Sequence, residues 1–335
     1  MDQKKNTGHH AITKEAARQL FDKTATDDHG IKRIDGMEFE QYYAQLDAGQ
    51  EYADRIVGGD TWEPYWMDRD AQRRHSMADP AKSGEENLAD IRNFVTDELE
   101  TAKADHDALK NFDKLDSDHD GFLSHKEIDR GIKKNVLTGR AASNLKDNQD
   151  TIEDLHDDPG IDDWNGVSKA DLQAQEMRDL GRATHALEDS YSNAHMFRDT
   201  SDTADPHAPV KSINVFNPVG FGADDTHVEA FDKVPLDGSG NLIRGSDRAA
   251  AAASAEMLDS YLRHRDDGDS SAHGAFDSTV GSFYQPSSRG VGVNTDDDDP
   301  NWQAERDERL RRQEQEERLH GVGDYPIPPE GTGMA

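Results

Sequence analysis

Apolar residues in this chain recur every three to four positions, as in Ile12, Ala16, Leu20 and again in Met177, Leu180, Ala183, Leu187. That is the period of a helix with one buried face, and it confines the chain to a mainly helical, all-α fold. The period predicts helices over residues 11–22, 36–57, 85–112, 125–137, 145–156, 169–191 and 248–264, the last carrying an alanine run of high helix propensity. Strand expectation is limited to Ser212–Phe216, and Asp237-Gly-Ser-Gly-Asn reads as a turn. From about Arg265 the composition shifts to Asp, Ser and Gly, then to Asp296-Asp-Asp-Asp, then to a charged helix with almost no apolar face. Residues 266–335 are therefore expected to form a flexible charged tail.

The balance of charge narrows the function classes. Seventy acidic against 38 basic side chains give a formal charge of −32, with 33% hydrophobic residues. Such a field repels nucleic-acid phosphates, so no stable nucleic-acid binding is expected, and cations are the natural counterweight. There is no cysteine, so disulfides, thiolate metal sites and a cysteine nucleophile are excluded, and any transition metal must sit on His, Asp and Glu. The first residues lack the apolar core of a secretory signal, and no stretch is apolar enough to span a membrane. Both a secreted destination reached by a signal-less route and the cytoplasm stay open, as does the oligomeric state.

Asp116-Ser-Asp118-His-Asp120-Gly121-Phe122-Leu123-Ser124-His-Lys-Glu127 has the spacing of an EF-hand calcium loop. Oxygen ligands fall at loop positions 1, 3, 5, 9 and 12, from Asp116, Asp118, Asp120, Ser124 and Glu127. Gly121 makes the sharp turn, and Phe122 supplies its carbonyl at position 7. Calcium takes six to eight oxygens, which such a loop provides with Glu127 bidentate. EF-hands pair, and a degenerate second loop is expected at 157–171, where Gly166-Val167-Ser168 and Asp171 echo the first from its glycine onward. One or two calcium ions follow, with the pair occupying residues 99–171.

The stretch with most chemistry is His185-x3-Asp189-x5-His195. Four residues apart on a helix, His185 and Asp189 share a face and can grip one cation. His9 and His10 stand before a helix, Asp54 ends another, His75 follows Arg-Arg, and Asp224, Asp225, His227, Glu229 and Asp232 cluster later.

In order and spacing these residues resemble the bacterial zinc-dependent phospholipase C family, related to fungal zinc-dependent single-strand nucleases and to heterokaryon-incompatibility C-like proteins. The similarity lies in His185-x3-Asp189-x5-His195, His9-x2-Ile12-x3-Ala16, Gly49-x3-Ala53-Asp54 with His75, and Asp225-x-His227. It implies a helical metal-hydrolase domain built from residues 1–98 and 172–265, with two to three zinc ions. Carried over, Asp54, His75, His185 and Asp189 hold one zinc. His195 and His227 with a carboxylate hold the second, and His9 with a bridging Asp189 the third. Asp54 also serves as general base toward a metal-bound water. The chain departs from the family in three places. Eight residues precede His9, where the family uses a terminal amine. Phe231 stands where the family has glutamate, leaving Glu229 or Asp232. The calcium-loop region separates His75 from His185.

The expected function is zinc-dependent phosphodiester hydrolysis of phospholipid headgroups, with transient membrane-surface contact. A zinc-dependent nuclease and a non-catalytic calcium-binding interaction protein are the alternatives.

Overall fold

A computed structural model describes residues 7–26, 30–53, 72–137, 139–146, 166–200, 203–215, 234–295 and 299–319, and these are mostly helical. Helix α1 spans Thr7–Lys23 and α2 Phe39–Ala53. A 3-10 turn, Arg73–His75, precedes the long α3, Gly84–Leu115. Strand β1, Phe122–Leu123, leads to α4, His125–Lys133, and residues 139–146 are again helical. Strand β2, Val167–Ser168, runs into α5, Lys169–Asp189. Strands β3, Met196–Arg198, and β4, Val210–Asn214, precede α6, Gly245–His264, and α7, Asp269–Phe283. Strand β5, Gly292–Asn294, and α8, Pro300–Leu319, complete the described chain.

Serine caps start the two central helices. Ser83 and Glu86 form a reciprocal capping box at α3, and Ser168 and Asp171 do the same at α5, each satisfying two N–H groups that a helix start leaves open. The main core lies where α1, α2, the first half of α3, α5, α6 and α7 meet, with Tyr42, Leu46, Ile91, Leu99, Leu187, Tyr261 and Phe276 fully buried. A smaller core joins the end of α3 to α4 and the start of α5 through Phe112, Leu115, Leu123, Ile128, Val167 and Leu172. There β1 and β2 pair antiparallel, Phe122 opposite Ser168 and Leu123 opposite Val167. Strands β3, β4 and β5 form a second sheet in that order, antiparallel then parallel.

The boundaries expected at 98/99 and 171/172 fall within α3 and α5. Two other expectations need correction. The 266–335 segment is not a flexible tail across its described part. Helix α7 buries Ala272, Phe276, Val280 and Phe283 in the main core, and α8 packs Trp302 beside Ala194 and Phe197. Helix α8 succeeds without an apolar stripe because ion pairs and stacked arginines carry its contact face. Arg309 lies 4.0 Å from the Phe197 ring centre, and Arg244 bonds Glu317. The strand expected at 212–216 is β4, two residues earlier.

Candidate metal centre

Two helix ends and two turns converge at the C-terminus of α5. His185 and Asp189 lie one turn apart on its buried face, 1% and 2% exposed. His9 comes from the first turn of α1. His75 closes the 3-10 turn, held to α5 because Ser76, at a left-handed φ of 53°, donates its hydroxyl to Ala186 O at 2.5 Å. His195 sits in the turn before β3. Asn214 of β4 fixes that turn, donating its backbone N–H to His195 O at 2.8 Å and its side-chain amide to Asn193 O and Ala194 O.

The two oxygens of Asp189 divide the histidines. His75 Nδ1 and His185 Nε2 approach Oδ2 at 3.1 and 3.2 Å and stand 3.0 Å from each other. His9 Nε2 lies 3.0 Å and His195 Nε2 3.8 Å from Oδ1. The far nitrogens explain the orientation: His9 Nδ1 meets Glu188 Oε2 at 3.3 Å, and His195 Nδ1 meets the carbonyl of His75. With Nδ1 turned to an oxygen acceptor, each Nε2 is presented to Asp189: in the absence of metal a proton there donates to the carboxylate, and a bound ion would take that proton's place, the arrangement that outer acceptors impose on metal-ligating histidines. His9, His185 and Asp189 each offer a donor atom within 4.8 Å of the others. Imidazole and carboxylate donors without thiolate suit zinc, copper, iron or nickel alike.

Charge at the site follows from burial and these contacts. Burial opposes the charge of Asp189, yet His195, His185 and His9 together hold its carboxyl well below the ordinary range. Burial likewise opposes protonation of His9, but Asp189 and Glu188 lift the imidazole well above its usual value. Burial pushes Glu188 up, against the bonds from His9 and Gln50. Glu188 was not singled out from the sequence. It accepts from Gln50 Nε2 at 3.0 Å and Thr13 Oγ1 at 3.2 Å, so it ties α1 and α2 to α5 behind His9. Its spacing three residues after His185 is the only signal that could have found it.

Of the sequence-derived ligands, His9, His75, His185, Asp189 and His195 come together. His9 and His195 both lie toward Oδ1 of Asp189. Asp54, His227, Glu229 and Asp232 lie outside the described residues. His10 turns instead to Asp47, and His264 and His273 pair with Asp267 and Glu100.

The second cluster is the Asp116–Glu127 loop. Asp116, Asp118 and Glu127 offer oxygens within 4.8 Å of one another. Gly121 takes a φ of 90°, and Asp116 Oδ1 is buried without a hydrogen-bond partner, an acceptor aimed inward. Burial would raise Glu127, but N–H groups of Ser117 and Ser124 hold it to about 2, so it is a carboxylate at any physiological pH. Ser124 Oγ donates to Glu127 and Asp120 Oδ1 accepts from Phe122 N, so these two side chains brace the loop. Gly166 fits directly against β1, since a Cβ there would meet Leu123 O at 2.5 Å. The rest of the expected second loop, through Asn165, lies outside the described residues.

No protein-family model, curated protein or solved structure matches the chain.

Proposed function

We propose that this protein is a zinc-dependent phosphodiester hydrolase of the phospholipase C type that also binds calcium in the Asp116–Glu127 loop. One observation carries the reading: four imidazoles from separate parts of the chain face the two oxygens of one buried carboxylate, Asp189. His9, His185 and Asp189, with His75 and His195 beside them, are the residues that would hold the zinc ions. Zinc held there supplies Lewis acidity toward phosphoryl oxygens and a hydroxide at neutral pH. The chain's own residues do the positioning, Glu188 keeping the His9 proton on Nδ1 and the His75 carbonyl doing so for His195.

Phospholipid is favoured over nucleic acid because a charge of −32 repels a polyanion more than a zwitterionic headgroup. The resemblance to the zinc-dependent phospholipase C family rests on the same histidines. In that reading Asp54 acts as general base.

Elemental analysis of purified protein should return two or more zinc ions per chain, reduced by His185→Ala. The zinc-loaded protein should release phosphorylated headgroup from phosphatidylcholine faster than it cleaves single-stranded DNA. Faster DNA cleavage would point to the nuclease alternative. Zinc near zero, with calcium present and neither substrate hydrolysed, would sink the enzyme reading and leave a calcium-binding protein.

A further inference from the structure

The chain has nearly two acidic residues for every basic one, yet four arginines line a single cavity between α8 and the corner of β3 and β4. They are Arg198, Arg244, Arg309 and Arg312, with Asp205 and Glu316 as the acidic lining residues; Arg244, Arg309 and Arg312 pair with Glu317, Glu305 and Glu308 just outside the lining. Arg198 is 8% exposed, and among the described residues it makes no ion pair. Its hydrogen bonds go to neutral oxygens: Ser190 O, Ser190 Oγ, Ala208 O and Phe283 O. Four of the five guanidinium N–H groups are thereby used, its carbon sits 3.9 Å from the Tyr191 ring centre, and one N–H on Nη2 is left over.

Arg309 has the same surplus. It bonds Glu305 through Nε and Nη2, the Arg198 carbonyl through Nη2 and Asn193 Oδ1 through one N–H of Nη1, leaving the other N–H of Nη1. Burial, with Arg312 close by, holds this guanidinium below its ordinary value in spite of Glu305. Glu316 is engaged with Thr203 and the Gly245 N–H. A buried cation with no carboxylate of its own is costly unless an anion completes it.

We infer that this arginine-lined cavity is a binding site for a phosphate-class oxyanion, separate from the metal centre. Guanidinium forks match the oxygens of phosphate, and a tetrahedral anion can accept from N–H groups of different arginines at once. Tyr191 also lines the cleft beside His9 and Asp189, so the two cavities share a wall. The inference does not depend on the metal reading.

The test is calorimetric titration of the full chain with inorganic phosphate, in excess chelator so that no metal ion can hold the anion. Saturable binding of one phosphate is expected, retained in His185→Ala and weakened at least about tenfold in the double variant Arg309→Gln, Arg312→Gln. Arg312 is more than half exposed, so Arg312→Gln alone should fold normally and weaken binding about threefold. Absence of saturable binding by the wild type would overturn the inference. So would binding that survives the arginine substitutions but disappears in His185→Ala.

Discussion

At the scale of single residues, the centre depends on two glycines as well as on its ligands. A Cβ at Gly181 would meet Gly49 Cα and Leu46 O at 2.6 Å, and one at Gly49 would meet Arg178 Cα at 2.8 Å, all backbone atoms. Helices α2 and α5 therefore touch backbone to backbone one turn before His185. Gly181→Ala should cost about 1–3 kcal/mol in urea or thermal unfolding; unchanged stability would mean the crossing has slack. Glu188 is the second such residue. Glu188→Gln removes a carboxylate oxygen behind His9 and should weaken zinc binding about 10- to 100-fold in chelator competition, with the fold retained. An unaltered affinity would exclude His9 from the ligand set. His185, Asp189 and His195 were legible in the sequence because they lie within eleven consecutive residues. Glu188 was not, because its importance comes from Thr13 and Gln50, distant in the chain.

At the scale of elements, α3 and α5 face each other through buried carboxyls. Glu98, 6% exposed, bonds Arg182 and is nonetheless pushed by burial to about 7. Asp105, 1% exposed, is driven by burial and then by the neighbouring Asp179 charge to about 9, and Asp179 itself stands at about 6. Glu176 adds to the crowding, while Asn144 donates to Asp105 Oδ1 at 2.7 Å. The folded pKa of Asp105 lies above the unfolded one, so its contribution is fully present below the ordinary carboxylate range and is lost as pH rises toward about 9. Asp105→Asn, a mimic of the protonated acid, should flatten that loss and stabilise the protein above pH 8 by on the order of 2 kcal/mol. Equal pH profiles in urea unfolding would refute it. The Asp116–Glu127 cluster was legible because its carboxylates fall within twelve consecutive residues. Calcium should raise the melting temperature, by about 2.7 kcal/mol of stabilisation at a hundredfold excess over Kd. Asp116→Ala should abolish the increment seen in scanning calorimetry.

For the whole molecule, the helical class and the positions of most helices could be read from apolar spacing, whereas the packing of the last third could not. In α7, Phe276, Val280 and Phe283 keep a helical period, but Asp, Ser and Gly around them disguise it. In α8 the contact is made by arginine stems and ion pairs, which periodicity does not register. A chain cut after Arg265 should therefore fail to give a cooperative unfolding transition, since four fully buried core side chains, Ala272, Phe276, Val280 and Phe283, leave with it, each aromatic one contributing about 3–5 kcal/mol. A truncated chain that melts like the full one would restore the picture of a dispensable tail. No described helix is long and apolar enough to cross a membrane.

Helix α5 runs without interruption from the strand that pairs with the Asp116–Glu127 loop to the carboxylate that gathers the histidines. At about 1.5 Å of rise per residue its length is about 30 Å. The two candidate metal clusters are thus fixed to opposite ends of one element, and Gly181 seated against Gly49 ties that element to α2 between them.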